Sequence, residues 1–178
     1  MGICIRPAQA FDLKEVLAIN QAHLPAVSTL NVADLEELAS WSEHFKVAVD
    51  ETNKILGFIL CLGPKRPYLS LNYTWFAQRY SQFLYIDRIV VCEMAQRRGL
   101  GKQFYADALQ AAQIIGAPLL CEVNIVPRNE ESLAFHARLG FRSVGTQVTE
   151  GGKKRVTLLR LDPFQSSDAA SALDSAST

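Results

Sequence analysis

Nothing in this 178-residue chain is apolar for long enough to cross a bilayer. The longest apolar run, Ile55–Leu62, contains Gly57 and falls far short of the ~20 residues a spanning helix needs. The opening MGICIRPAQAFD lacks a basic segment followed by a long apolar core, so no secretory signal is read there, and Arg6 breaks the myristoylation pattern that Gly2 would open. Neither sign of charge is in excess, with Lys plus Arg at 18, Asp plus Glu at 18 and a formal net charge of zero. Nucleic-acid and anionic-membrane partners, which select basic patches, are therefore not expected. Cysteine is sparse: Cys4, Cys61, Cys92 and Cys121 form no CxxC pair, and each sits in an apolar, strand-like run. They read as buried, reduced thiols acting as small hydrophobes, which points to the cytoplasm. The lone histidines His23 and His44 have no Cys or carboxylate partners at ligand spacing, so no metal is expected. A GxSxG nucleophile signature is missing too, so no covalent nucleophile is read.

What is present suits a single globular domain over residues 1–161, with 49% apolar and 20% charged residues. Ile3–Arg6 reads as a strand. Asp12 caps a helix with apolar positions at Leu13, Val16, Leu17 and Ile19, and a second helix starts at Asn31 or Asp34. Phe45–Val49 and Ile55–Leu62 form a hairpin about the Asp50–Asn53 turn. Residues 63 to 82, with Gly63, Pro64 and Pro67, read as a long connection rich in aromatics: Tyr68, Tyr73, Trp75, Phe76 and Tyr80. These either line a functional loop or fill a core gap or an oligomer contact. A strand over Phe83–Cys92, a glycine turn at 96–102, a helix over Gln103–Ile115 and a strand over Pro118–Ile125 follow. Helix-linked strands pair in parallel. Asn129 caps a helix to about Arg138 that Gly140 ends. Phe141–Thr149 and Lys153–Leu161 close the fold as a hairpin. The Ser/Ala/Asp-rich segment 162–178 reads as disordered.

The informative segment is Gln96-Arg97-Arg98-Gly99-Leu100-Gly101-Lys102, just after a strand and opening a helix. Main-chain N–H groups at a helix start lack internal partners, and the helix dipole favours an anion there. Gly99 and Gly101 carry no Cβ, so a pyrophosphate can approach the main chain. The Rossmann fingerprint fails because Phe104 stands where its third Gly belongs. The P-loop fails because Gln103 follows Gly101-Lys102 and the upstream Gly is missing.

At these residues the chain resembles the GNAT N-acetyltransferase superfamily, whose [QR]xxGx[GA] signature Gln96 to Gly101 match in full. The second family signature, an Asn opening a helix that ends in Gly-Phe, is matched from Asn129 to Gly140-Phe141. With Cys121 to Asn124 beside it, the chain is similar to a mostly bacterial branch of that family. The resemblance covers about residues 3 to 161 and implies a mixed α/β (α+β) fold: a central twisted sheet of about six to seven strands, about four helices, and parallel, splayed strands 4 and 5. It implies acetyl-CoA as co-substrate. The main chain at Ile89 and Val91 would pair with the pantetheine arm. The turn from Gln96 and Arg97 through Arg98, Gly99, Leu100, Gly101 and Lys102 would hold the pyrophosphate. Asn129 would hydrogen-bond the pantetheine, with Ser132 nearby.

The chemistry implied is acyl transfer to an amine. Where many family members place a Tyr as the acid for the departing thiolate, this chain has His136. It is either that acid or a packing histidine, with water in its place. Strand alternation puts Tyr85, Asp87, Ile89 and Val91 on one face and Ile86, Arg88 and Val90 on the other. The strand position that carries a base in some relatives is Tyr85 here. Asp87 and, on the next strand, Glu122 are the candidate bases, or else members of salt bridges with an Arg such as Arg88. Asn124 shares a face with Glu122 and is a candidate substrate contact, as are Tyr73, Trp75 and Tyr80. The acceptor expected is a primary amine, small or amino-acid-like. A protein N-terminus or lysine, a non-catalytic acyl-CoA sensor and an interaction module stay open, as does a homodimer, since family members often dimerise.

Overall fold

Twelve regular elements alternate along the chain in the computed structural model, which describes residues 2–163. From residue 164 onward the expected tail lies outside the described residues. The strands are β1 (Cys4–Pro7), β2 (Ser42–Val49), β3 (Ile55–Leu62), β4 (Leu84–Val91), β5 (Leu119–Val126), β6 (Arg142–Thr149) and β7 (Lys154–Leu161). The helices are α1 (Leu13–Ala22), α2 (Val32–Trp41), α3 (Leu71–Ala77), α4 (Leu100–Ile114) and α5 (Glu130–Arg138). The described residues fall into two compact units, one of residues 2–66 and 85–108, the other of residues 67–84 and 109–163.

In the first unit the strands lie in the order β1-β2-β3-β4, each antiparallel to its neighbour. β3 is flanked on both sides and every residue of it is buried, which is why its sequence is a continuous apolar run rather than an alternation. Gly57 does not end the strand. A Cβ there would come within 2.5 Å of the Val90 carbonyl oxygen, so the missing side chain admits β4. The β2–β3 turn is closed by Asp50, whose Oδ1 accepts from the main-chain N–H of Thr52 and of Lys54.

The helix starts differ in detail from expectation. Asn31 and Asp34 both serve α2, each side chain accepting from the other's main-chain N–H in a reciprocal capping box. Asp12 does not cap α1 by a side-chain bond. Its carboxylate accepts from Gln9 N–H and, at 2.7 Å, from Arg6, and the Arg6 bond holds its pKa below the usual carboxylate value. Of the thiols, Cys61 and Cys121 are buried as expected, but Cys4 is exposed because β1 pairs on one side only. Burial pushes the Cys61 thiol pKa up.

The second unit holds β5-β7-β6, again antiparallel, with the β6–β7 hairpin closing the described chain. The segment 63–82 is not a structureless connection: it carries α3, making five helices where about four were expected. Ser70 caps α3, its hydroxyl accepting from Tyr73 N–H. Tyr73 packs edge-on between Tyr68 and Phe83, and Phe76 is wholly buried. Trp75 occupies the space that a side chain at Gly145 would fill, since a Cβ there would lie 2.6 Å from the indole. Gly140 ends α5 at φ 90°, the left-handed conformation that its position needs.

Candidate active site

The glycine turn stands open. After β4 the main chain makes a 3₁₀ turn at Glu93–Ala95, then passes through positive φ at Arg97 (59°) and Gly99 (77°) before α4 begins. Buried Ala95 and Leu100 anchor it on either side, while Gln96 to Gly99 are exposed. Gln96 donates to the carbonyl of Val91 at 3.2 Å and ties the turn to the strand end. A Cβ built at Gly99 or at Gly101 meets nothing within 4 Å. Uncovered main chain therefore flanks the start of a 15-residue helix, with the exposed side chains of Arg97, Arg98 and Lys102 beside it. Such an arrangement attracts a multiply charged anion.

On β4 the simple alternation fails at one point. Leu60 pairs with Arg88 and Cys61 with Ile86, so Asp87 is the extra residue of a β-bulge. The bulge lets consecutive side chains meet: Arg88 Nε donates to Asp87 Oδ2 at 2.7 Å, with both side chains about 96% buried (3% and 4% exposed). Arg88 also donates to Asn20 Oδ1 at 2.9 Å and to Ser28 Oγ at 3.3 Å, which ties the α1–α2 connection to β4. The expected placement of Arg88 on the opposite face is corrected accordingly. Asp87 is one half of a buried ion pair, the alternative that its sequence context had left open. Ile89 and Val91 are half-buried and alternate with buried Val90, and Tyr85 is buried.

In the second unit, β5 presents Glu122 and Asn124, both half-buried. Glu122 Oε1 accepts from Asn72 Nδ2 of α3 at 3.0 Å. Asn72 was not anticipated, because it belongs to the helix hidden in the aromatic segment. The aromatic candidates take packing positions. Tyr73 lies in the core, Trp75 carries the Arg79 guanidinium 3.9 Å over its ring, and Tyr80 lies tilted beside Phe76 with Arg160 over it.

α5 brings the remaining candidates together. Asn129 accepts from Ser132 N–H at 3.0 Å and caps the helix. One turn on, His136 is buried, with its ring edge-on to Phe135 and Phe141. His136 Nδ1 lies 2.7 Å from the carbonyl oxygen of Ser132. A carbonyl only accepts, so Nδ1 carries the hydrogen, and in the neutral ring Nε2 holds the lone pair. Burial pulls the pKa below the ordinary histidine value, against the Ser132 bond, which raises it. The ring therefore rests neutral at pH 7. It forms part of the wall of an open cleft of ≈ 320 Å³ within this unit, beside Leu133, Phe141, Thr157 and Leu159. Among the described residues no group of three or more His, Cys, Asp or Glu is placed to hold a metal ion, and no helix is long and apolar enough to cross a membrane.

The acetyltransferase (GNAT) family model matches residues 15–141, a span that includes the open turn, the bulged strand and the Asn129 helix. Solved structures share the fold. NAA60 of Arabidopsis thaliana in complex with acetyl-CoA superposes with a TM-score of 0.73 at 17% identity, covering 90% of this chain and 99% of that one. The ribosomal-protein-S18-alanine N-acetyltransferase of Escherichia coli gives 0.68 at 16% identity, covering 90% and 94%. A protein assigned as a phosphinothricin N-acetyltransferase gives 0.68 at 21% identity, covering 90% and 98%. Among curated proteins no sequence matches the chain. The chain belongs to the GNAT acetyltransferase family, and its fold is the GNAT fold. It is an acetyl-CoA-dependent N-acetyltransferase.

Proposed function

We propose that this acetyltransferase passes the acetyl group directly from acetyl-CoA to the primary amine of a small, amino-acid-like acceptor. The observation that carries the reading is the uncovered main chain at Gly99 and Gly101, at the mouth of a long helix and beside three basic side chains. The amides of Arg98 to Lys102 hold the pyrophosphate. The main chain at Ile89 and Val91, with Asn129 and Ser132, holds the pantetheine arm.

In the transfer the amine nitrogen attacks the thioester carbonyl carbon, the C–N bond forms, and the C–S bond breaks. The amine must lose a proton and the CoA thiolate must gain one. A resting neutral His136 with its lone pair on Nε2 suits the first half of that exchange. It takes the amine proton and, as imidazolium, returns it to sulfur. This refines the acid role that its position implies, because a ring with an unprotonated Nε2 must collect a proton before it can give one. Asp87, locked to Arg88, positions β4 rather than serving as the base. Glu122, held by Asn72, is the carboxylate that would orient a cationic acceptor, with Asn124 beside it on the strand.

One of the structures with this fold is named as a ribosomal-protein-S18-alanine N-acetyltransferase, so a peptide acceptor is the second reading. Thiol release from acetyl-CoA, followed with one panel of amino acids and polyamines and one of short peptides, decides between them. Turnover with the small amines and none with peptides is expected. Turnover confined to peptides would replace the small acceptor, and CoA binding without turnover on either panel would remove the proposed acceptor class altogether.

A further inference from the structure

The cavity beside His136 is larger than an acetyl group needs. At ≈ 320 Å³ it has the volume of roughly ten water molecules at about 30 Å³ each, several times what an acetyl group fills. Its wall is chiefly carbon, from Ile125, Leu133, Phe141 and Leu159. Three hydroxyl side chains line it, Ser143, Thr146 and Thr157, and two of them are paired: Ser143 Oγ and Thr157 Oγ1 lie 2.8 Å apart and bond each other. His136 Nδ1 is engaged by the Ser132 carbonyl. Arg128, at the rim, is paired with Glu130. No carboxylate lines the cavity, so a cationic amine would find no counter-charge in it. An apolar occupant, by contrast, would lose nothing on leaving water and would gain contacts along the whole wall.

We propose that this cavity receives the acyl chain of the thioester, and that the protein binds and transfers straight acyl groups longer than acetyl as well as acetyl. The inference rests on the reading of His136 as the group beside the reacting thioester, since a cavity walled by that ring is where a substituent of the reacting carbon would extend. Each methylene buried contributes about 0.8 kcal/mol, which at 1.36 kcal/mol per decade is about fourfold in affinity.

The test is calorimetric titration of the wild-type protein with CoA, acetyl-CoA, butyryl-CoA and hexanoyl-CoA, together with the variant Ala137→Leu. Ala137 lies on the exposed side of α5 and lines the cavity. Leu suits a helix and adds bulk at that wall. Hexanoyl-CoA should bind at least about tenfold tighter than acetyl-CoA, two or more methylenes' worth, and Ala137→Leu should reduce that ratio to within about threefold of unity. If CoA binds but acyl length changes nothing, or if the preference survives in the variant, the inference is overturned while the CoA reading stands. If CoA itself fails to bind, both fall.

Discussion

Replacing Gly99 with alanine tests the turn where the structure makes its sharpest demand. Gly99 sits at φ 77°, a conformation that costs an L-residue roughly 1–2 kcal/mol. No clash adds to this, because a Cβ there meets nothing within 4 Å. For a chain of this size 1 kcal/mol shifts Tm by about 2–4 °C, so Gly99→Ala should lower Tm by about 2–8 °C. The backbone escapes the strain by rotating away from positive φ, which re-aims the amides on either side. Losing one charge-assisted hydrogen bond to a pyrophosphate costs about 1.5–3 kcal/mol, or about 10- to 150-fold in Kd. Gly101→Ala is the control. Gly101 has no positive φ, and its Cβ would stand in open space within α4. There Ala is favoured over Gly by up to about 1 kcal/mol, so Tm should hold or rise, which makes this variant the control for strain, while the Cβ added where the pyrophosphate approaches should still weaken CoA binding. Thermal melts and calorimetric CoA titration of the two variants read both effects. A Gly99→Ala protein that binds CoA as tightly as wild type would refute the claim that this bend presents the phosphate-binding amides.

Asp87→Asn should cost about 3–5 kcal/mol, because it leaves the Arg88 guanidinium buried without its carboxylate, and chemical denaturation measures the loss. His136→Phe should lower kcat by about 10²-fold or more if the ring relays the proton, with a smaller change in CoA affinity, as steady-state kinetics with calorimetry would show. The wild-type kcat/KM, taken per neutral amine, should be level above the ordinary histidine pKa and fall at lower pH as the depressed pKa of His136 is crossed and Nε2 becomes protonated. Stability carries the same sign. His44 and His136 are both depressed by burial in the folded state, so the unfolded chain binds more protons below about pH 6.5. The stabilisation is therefore complete above that pH and is lost as pH falls toward the folded-state values. Melts from pH 8 to 5 would show a flatter profile in His136→Phe, and an unchanged profile would exclude His136 from the effect.

Strand and helix order was legible because it is written in local patterns. The continuous apolar run of β3 marks a strand covered on both sides, and the Asn129-to-Gly140 segment carries its own cap and stop. α3 was hidden because Pro64 and Pro67 suggest irregular chain, although Ser70, three residues before Tyr73, is a cap signal that could have found it. The bulge at Asp87 leaves no mark in a pattern of alternating residues. It arises from the register between β3 and β4, and it reverses the inference that Asp87 and Arg88 face apart. The partners of the charged candidates were equally invisible, since Arg88 reaches Asn20, 68 positions away, and Glu122 is met by Asn72, 50 positions away. The open turn, in contrast, was readable from Gln96 to Lys102, because two glycines and three basic residues at a strand-to-helix junction state their chemistry locally. The tautomer of His136 required the Ser132 carbonyl to be placed.

The most direct measurement of the central claim is an amide-resolved NMR titration of the protein with CoA. Binding should be saturable and weaken with added salt, with the largest amide shifts at Arg98, Gly99, Leu100, Gly101 and Lys102. Saturable CoA binding that leaves those five amides unmoved, or no binding at all, would contradict it.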